Sequence, residues 1–274
     1  MTPVTLGEWG VVCIPLKFRF DGESTEYSDN DIESKTFYDK MRAGGVAKTS
    51  AINTETFKSE FEKVIKEGND VLYIGLSSGL SATYNSARLA AMELNEKYPD
   101  RKIVTVDSLS VSAAIGLIIF LILKEKKDAD VEEAARYAES LVPRLCHWAT
   151  VEDLVYLTRG GRLRAAAAFA GTALGLKPVL HVDNDGHLVS AAKVRGRRTA
   201  ISAIVEKYGE LAEDAENGTV YISHADCMKD AEELSALIKE KYNAKVDVIA
   251  NIGSVIGAHA GPGTIALFFV GKER

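Results

Sequence analysis

The feature that most constrains the fold is an alternation of short apolar runs with helical segments through the first half of the chain. Asp70–Leu76 is a compact apolar run of strand length. A turn rich in hydroxyls follows at Ser77–Tyr84, then a helical segment, Ser81–Glu96, with Ala87, Leu89, Ala91 and Leu94 among its apolar positions. Ile103–Val106 is a second short strand, closed by Asp107-Ser108. Helices are expected at Thr56–Lys66, about Ser110–Lys124 and Val131–Leu145. Parallel neighbours need a long crossover between them, usually a helix. This order therefore selects an α/β fold whose N-terminal part is a mostly parallel, Rossmann-like sheet with helices on both faces.

The second half is patterned differently. Lys177-Pro178 introduces an apolar run, Val179–Val182. Asp183-Asn184-Asp185-Gly186 then turns the chain into His187–Val194, a hairpin signal. Thr199–Leu211 and Lys229–Tyr242 read as helices, and Thr219–Ser223, Ala244–Ala250 and Thr264–Val270 as strands. Leu154–Leu163 carries a Gly160-Gly161 break, and Ala165–Leu174 is rich in small residues. The boundary is placed near Leu145–Trp148, giving an N-terminal α/β domain over 1–146 and a C-terminal α/β domain with a mixed sheet over 147–274. At the start, Val11–Phe20 reads as a strand. Doubly wound sheets usually open with an earlier, buried strand that feeds a ligand loop. Met1–Gly10 is too short and polar to supply one, so the first strand is expected to be missing, or Met1 to be a late start.

The 274 residues suit one large domain or two modest ones. A net charge of −6 argues against a nucleic-acid partner. The three cysteines, Cys13, Cys146 and Cys227, lack metal-like spacing and suit a reducing compartment. Met1–Gly10 has no signal-peptide character. The most apolar run, Val111–Leu123, is shorter than the roughly 18–20 residues a membrane span needs, and Lys124-Glu125-Lys126-Lys127 closes it. It reads as a buried helix, and the chain as a cytoplasmic protein without a membrane span.

Four groups of residues can carry chemistry. Gly253–Gly263 surrounds His259 with four glycines and a proline, the composition of a tight, specified turn. His259 either caps a backbone group or serves a ligand, and both readings stay open. The serine turn gathers Ser77, Ser78, Ser81 and Thr83 at a helix N-terminus, where hydroxyls and free N–H groups favour an anion. Capping accounts for one of these hydroxyls but not for all four. Gly75-Leu76-Ser77-Ser78-Gly79 also matches the G-x-S-x-G elbow of serine hydrolases. Asp183 or Asp185 and His224 or His259 lie downstream, but no HGGG-like oxyanion segment precedes Ser77. Lys48-Thr49-Ser50 is a further hydroxyl-bearing turn, read alone as a helix cap. Arg159, Arg162 and Arg164 form one basic cluster and Arg195, Arg197 and Arg198 another, which in an acidic chain points to a local anionic partner. His147, His181, His187, His224 and His259 have no metal-ligand spacing, and no nucleotide motif is present, so no metal or cofactor is expected.

Taken together, these segments resemble the DegV family. The serine turn Ser77-Ser78-Gly79-Leu80-Ser81-Ala82-Thr83-Tyr84 is similar to its SSGLSGTY motif. Thr49-Ser50, Asp107-Ser108, Tyr156–Arg162, Lys177–Leu180, Lys193–Gly196 and Ile256–Gly263 follow in family order. The resemblance implies a two-domain α/β protein that binds a long-chain fatty acid in a tunnel between its domains. It implies a carrier resembling the FakB subunit of bacterial fatty acid kinase, not an enzyme. A separate ATP-dependent kinase subunit would phosphorylate the bound carboxyl group to an acyl phosphate, a step in phospholipid metabolism. On this chain the carboxylate-binding positions would be Thr49, Ser81 and His259, supported by Ser50, Ser77 and Ser78, with Arg162 and Arg195 facing the kinase. The chain departs from the family by lacking an opening D-S-x-x-D-L-like strand, and by Ala82 and Ala51 where Gly and a polar residue are usual.

Overall fold

The computed structural model describes residues 7–164 and 175–274, so the small-residue run Ala165–Leu174 lies outside it. The strands are β1 (Lys17–Phe20), β2 (Tyr27–Ser28), β3 (Ala47–Ser50), β4 (Val71–Gly75), β5 (Ile103–Asp107), β6 (Leu145–Thr150), β7 (Leu176–Val182), β8 (Leu188–Arg195), β9 (Val220–His224), β10 (Val246–Asn251) and β11 (Ile265–Val270). The helices are α1 (Ser34–Arg42), α2 (Thr54–Lys66), α3 (Thr83–Lys97), α4 (Ala113–Glu125), α5 (Val131–Leu141), α6 (Val155–Gly160), α7 (Arg197–Leu211), α8 (Met228–Tyr242) and α9 (Ser254–Ala260).

The C-terminal half is built on a six-stranded mixed sheet in the order β10-β9-β11-β6-β7-β8. Its centre shows why a fully apolar run makes a strand here. Ile265, Leu267 and Phe269 of β11 point into one core with α7 and α8, while Ala266 and Phe268 point into another with α4 and α5. Successive strand side chains face opposite sides, so a strand covered on both faces must be apolar throughout. The β7–β8 hairpin forms where Asp183-Asn184-Asp185-Gly186 predicts it. Asp183 Oδ1 accepts the backbone N–H groups of Asp185 and His187, and Gly186 takes φ +77°.

Parallel pairing in the first half joins β4 to β5, with Val71 opposite Ile103 and Gly75 opposite Asp107. Among the described residues these two strands pair only with each other. A three-stranded antiparallel sheet, β2-β1-β3, stands apart from them. It carries Phe18 and Phe20 into a cluster with Phe37, Tyr38 and Met41 of α1.

Four local expectations change. The strand expected over Val11–Phe20 is confined to Lys17–Phe20. The helix expected to reach Leu145 ends at Leu141; a 3-10 turn at Val142–Arg144 contains Pro143, and Leu145 opens β6. Lys48-Thr49-Ser50 is the end of β3 and not a turn. Gly253–Gly263 contains helix α9, and only Gly261 and Gly263 adopt positive φ. Among the described residues no helix is long and apolar enough to cross a membrane.

Candidate functional site

The ends of β3 and α9 meet although they are far apart in sequence. Thr49 Oγ1 and His259 Nε2 lie 2.7 Å apart, a hydrogen bond that spans 210 positions. Helix α9 is too short to hold its place alone, and tertiary contacts fix it. Asp29 Oδ1 accepts the N–H of Val255 at 2.9 Å, at the start of the helix. Burial raises the Asp29 pKa, and bonds from Val255 and Ser254 oppose that rise. Tyr38 Oη donates to the carbonyl of Ile252 at 2.7 Å, and its ring lies where a Cβ on Gly257 would be. On the other side, the His259 imidazole lies directly against Gly160.

Arg162 follows the left-handed Gly161 that ends α6. Its Nε donates to Leu80 O at 3.2 Å and its Nη1 to Gly160 O at 2.5 Å. The guanidinium therefore ties the end of α6 to the serine turn. Burial first, and the Arg162 charge second, lower the His259 pKa to about 4. The ring is thus neutral at pH 7. An NMR titration of the ligand-free protein should find His259 changing charge near pH 4, and in Arg162→Ala most of that depression should remain. Between about pH 4 and the ordinary histidine value of 6.5, unfolded chains bind the proton and folded ones do not. This residue's contribution therefore falls as pH drops from 6.5 to 4.

The serine turn divides its hydroxyls between two tasks. Ser81 Oγ lies 2.9 Å from Thr83 Oγ1 and accepts the N–H of Thr83, at the start of α3. Ser77 is fully buried; it donates to Gly186 O at 2.7 Å and accepts the N–H of Gly79 at 3.1 Å. A Cβ on Gly79 would stand 2.8 Å from the carbonyl oxygens of Asp185 and Gly186, so the turn and the β7–β8 hairpin touch backbone to backbone. Ser77 is consequently not the nucleophile of a hydrolase elbow. Its hydroxyl bonds to no histidine and does not reach the cavity described next. Ser77→Ala should lower stability by about 1–2 kcal/mol through the stranded Gly186 carbonyl. A fluorophosphonate probe should label neither the parent protein nor the variant. Ser78 is exposed, and its backbone N–H donates to Asp107 Oδ1 at 3.2 Å.

Thr49, Ser50, Ser81, Arg162 and His259 all line one cavity of about 240 Å³. Its remaining wall is largely apolar. Leu80, Leu157, Leu180, Leu188, Ala266 and Phe268 contribute, from both halves of the chain. The face of the six-stranded sheet that carries Ala149, Ala266 and Phe268 borders it. Ser77, Ser78 and Arg195 do not line it. Arg195 is exposed at the end of β8 opposite Leu188, seven residues or roughly 20 Å of strand away from it. Of the apolar helix expected at Val111–Leu123, Val111 reaches the cavity wall, whereas Ala114, Leu117 and Ile118 belong to the core. Sequence reasoning did not place Ser112 or His147 at a site, although both line the cavity. A histidine inside the apolar run Leu145–Thr150 was the available signal. Asp183, Asp185 and His187 cluster at the hairpin turn. Asp183 already accepts backbone N–H groups there, and Arg164 lies 3.6 Å from the Asp183 carboxylate and 3.8 Å from that of Asp185, which makes the cluster a turn device.

Fold and cavity together define an α/β protein with an apolar chamber that ends in hydroxyls, an imidazole and a guanidinium. The chain belongs to the DegV family, whose model, described as "Uncharacterised protein, DegV family", matches residues 1–272. A DegV domain-containing protein of Clostridium perfringens is 40% identical over 256 residues, covering 92% of this chain and 88% of its own. The crystal structure of a DegV lipid binding protein from Thermotoga maritima superposes with a TM-score of 0.86 at 31% identity, covering 100% of this chain and 95% of that one. A fatty-acid-binding DegV family protein from Thermus thermophilus superposes with a TM-score of 0.88 at 27% identity, covering 99% and 95%.

Proposed function

We propose that this protein binds a long-chain fatty acid in the cavity. Its carboxylate would lie among Thr49, Ser81, His259 and Arg162, and its acyl chain would run against Leu157, Leu180 and Phe268. The observation that carries this reading is the junction of one polar cluster with a largely apolar chamber. The fatty acid and lipid binding described for the Thermus and Thermotoga proteins supports it. Burying each methylene gains about 0.8 kcal/mol, so ten of them gain roughly 8 kcal/mol. Association itself costs several kcal/mol or more. The acyl chain thus supplies most of the affinity, and the polar cluster sets which end points outward. Neutral His259 and the hydroxyls hydrogen-bond a carboxylate, and Arg162 balances its charge.

The finer part of the proposal concerns delivery. The ligand would sit between the two α/β domains, 1–146 and 147–274, and its carboxyl group would be offered to a separate ATP-dependent kinase subunit. Arg162 is exposed as well as lining the cavity, which suits a group that meets a second protein. Arg195 is the candidate for a more distant docking contact.

The test is to denature the purified protein and analyse the organic extract by mass spectrometry, together with binding of added palmitate. No fatty acid in the extract and no palmitate binding would end the proposal. Arg195→Glu, assayed with the kinase subunit, should abolish turnover while palmitate binding persists. Unchanged turnover would remove the docking role.

A further inference from the structure

A guanidinium outside the cavity ties together segments that wall it. The chain after β11 is seated against the end of α7, where Lys272 N–H donates to Leu211 O at 2.8 Å. From there Arg274 reaches four separate stretches. Its Nη1 donates to Leu109 O at 3.1 Å and to Asp183 O at 3.0 Å. Its Nε donates to Leu145 O at 3.2 Å and its Nη2 to Val142 O at 2.7 Å. These acceptors lie in the β5–α4 loop, just past β7, at the start of β6 and in the 3-10 turn after α5. Hydrogen bonds from a charged donor are the strong class, and the planar fork of arginine fixes its acceptors relative to one another. Burial lowers the Arg274 pKa, so the charge is partly withdrawn from water and depends on these carbonyls.

The bridge from Leu109 to Asp183 bears directly on the cavity. Val111 and Ser112, just beyond Leu109, line it from the first half of the chain. Val182 and Leu188, on either side of the hairpin turn, line it from the second. Leu109 takes φ 46°, a left-handed conformation uncommon for a residue with a Cβ. Such strain persists where the surroundings hold it, and the bond from Arg274 to the Leu109 carbonyl is one such hold. Loop and hairpin also touch, since a Cβ on Gly186 would lie 3.0 Å from Leu109 Cδ2. Arg274 itself does not line the cavity, so it acts on a ligand only through the walls it joins. It lines instead a second hollow of about 450 Å³ with Leu109, Val142 and Asn184, which gives the guanidinium room to let go.

We infer that Arg274 is a positioning residue that latches the β5–α4 loop to the β7–β8 turn, and that release of this latch is the step through which a bound acid enters and leaves. The inference rests on the fatty-acid reading above and adds to it the control of exchange. A latch that opens equally with and without ligand changes the association and dissociation rates by the same factor and leaves affinity alone. A residue that merely shapes the chamber changes affinity, chiefly through dissociation.

The experiment follows the binding and release of cis-parinaric acid, a fluorescent long-chain acid, by stopped flow, with palmitate as the competitor. Arg274→Met keeps the stem and removes every donor. Arg274→Lys keeps the charge as a point donor that cannot bridge four carbonyls. In Arg274→Met both rates should rise about tenfold or more, the effect of losing a charged hydrogen bond, with Kd held within about twofold. Arg274→Lys should fall between that variant and the parent. In the parent protein's palmitate complex, ¹⁵N exchange NMR should find Leu109 and residues 183–186 sharing one opening process, no slower than palmitate release. That readout holds even where the variants fold poorly. Unchanged rates, a rise in dissociation alone, or opening at these residues that is absent or slower than release overturns the latch while leaving fatty-acid binding intact. Failure of the parent protein to bind either acid overturns the fatty-acid reading instead.

Discussion

Gly160→Ala should leave the protein as stable as before and weaken its binding of palmitate by roughly 10- to 100-fold. The two effects separate because of what the added methyl meets. A Cβ on Gly160 would overlap His259 Nδ1, a side-chain atom that can swing away, and no backbone atom is among its three nearest neighbours. Gly160 is the last residue of α6 and lacks positive φ, so alanine suits its backbone and gains a few tenths of a kcal/mol or more in helix propensity. The cost falls on the imidazole, which must leave Thr49 Oγ1 to make room, and the loss of that bond, about 1 kcal/mol, is offset by the helix-propensity gain, so the net change in stability is small. Losing a hydrogen bond to a charged ligand group is worth about 1.5–3 kcal/mol, which sets the expected range. Thermal unfolding and calorimetric titration with palmitate on the same samples check both halves. Unchanged affinity would show that the position of His259 does not matter to the ligand. A large fall in Tm would show that Gly160 is packed more tightly than its neighbours indicate.

The same comparison between local and tertiary effects decides what the sequence makes legible. Elements whose pattern is set locally are found close to where they are expected. The β4 and β5 runs are apolar, the β7–β8 turn is spelled by Asp183-Asn184-Asp185-Gly186, and α2 starts where Asn53 caps it by accepting the N–H of Thr56. β6 is hidden because it is buried on both faces: Leu145-Cys146-His147-Trp148 shows no alternation and contains a histidine. β3 is hidden because its four residues, alternately half-buried and exposed, include no large apolar side chain to mark the alternation. α9 reads as a turn because its glycines are present for reasons outside the helix. Gly257 makes room for Tyr38, and the helix start is bonded by Asp29, more than 200 positions away. The site follows the same division. The resemblance to the DegV motifs singles out Thr49, Ser81 and His259, with Arg162 among the basic residues, and the fold brings these four to one cavity. The G-x-S-x-G pattern misassigns Ser77 because a five-residue pattern does not reveal that the hairpin of a later segment covers the serine.

Gly186→Val should be the most damaging of the single substitutions considered, lowering stability by about 3 kcal/mol or more. Two costs coincide. At φ +77° a β-branched residue is a conformational outlier, and the new Cβ would overlap Ser77 Oγ and lie 3.0 Å from Leu109 Cδ2. Ser77 cannot yield cheaply, since it is fully buried and its hydroxyl bonds both Gly186 O and the N–H of Gly79. Gly161→Ala is the control for backbone strain alone. Gly161 has φ +66° with nothing within 4 Å of a Cβ, so its loss should cost about 1 kcal/mol. For a chain of this size 1 kcal/mol corresponds to about 2–4 °C in Tm, which separates the two variants by several degrees. Gly186→Val should also impair palmitate binding, because the loosened turn carries both Ser81 and the Leu80 carbonyl that holds Arg162. It therefore differs in kind from Gly160→Ala: one variant loses stability and binding together, the other binding alone. A Gly186→Val protein with the Tm of Gly161→Ala would mean that the hairpin can lift off the serine turn without cost, and that Ser77 does not anchor the site.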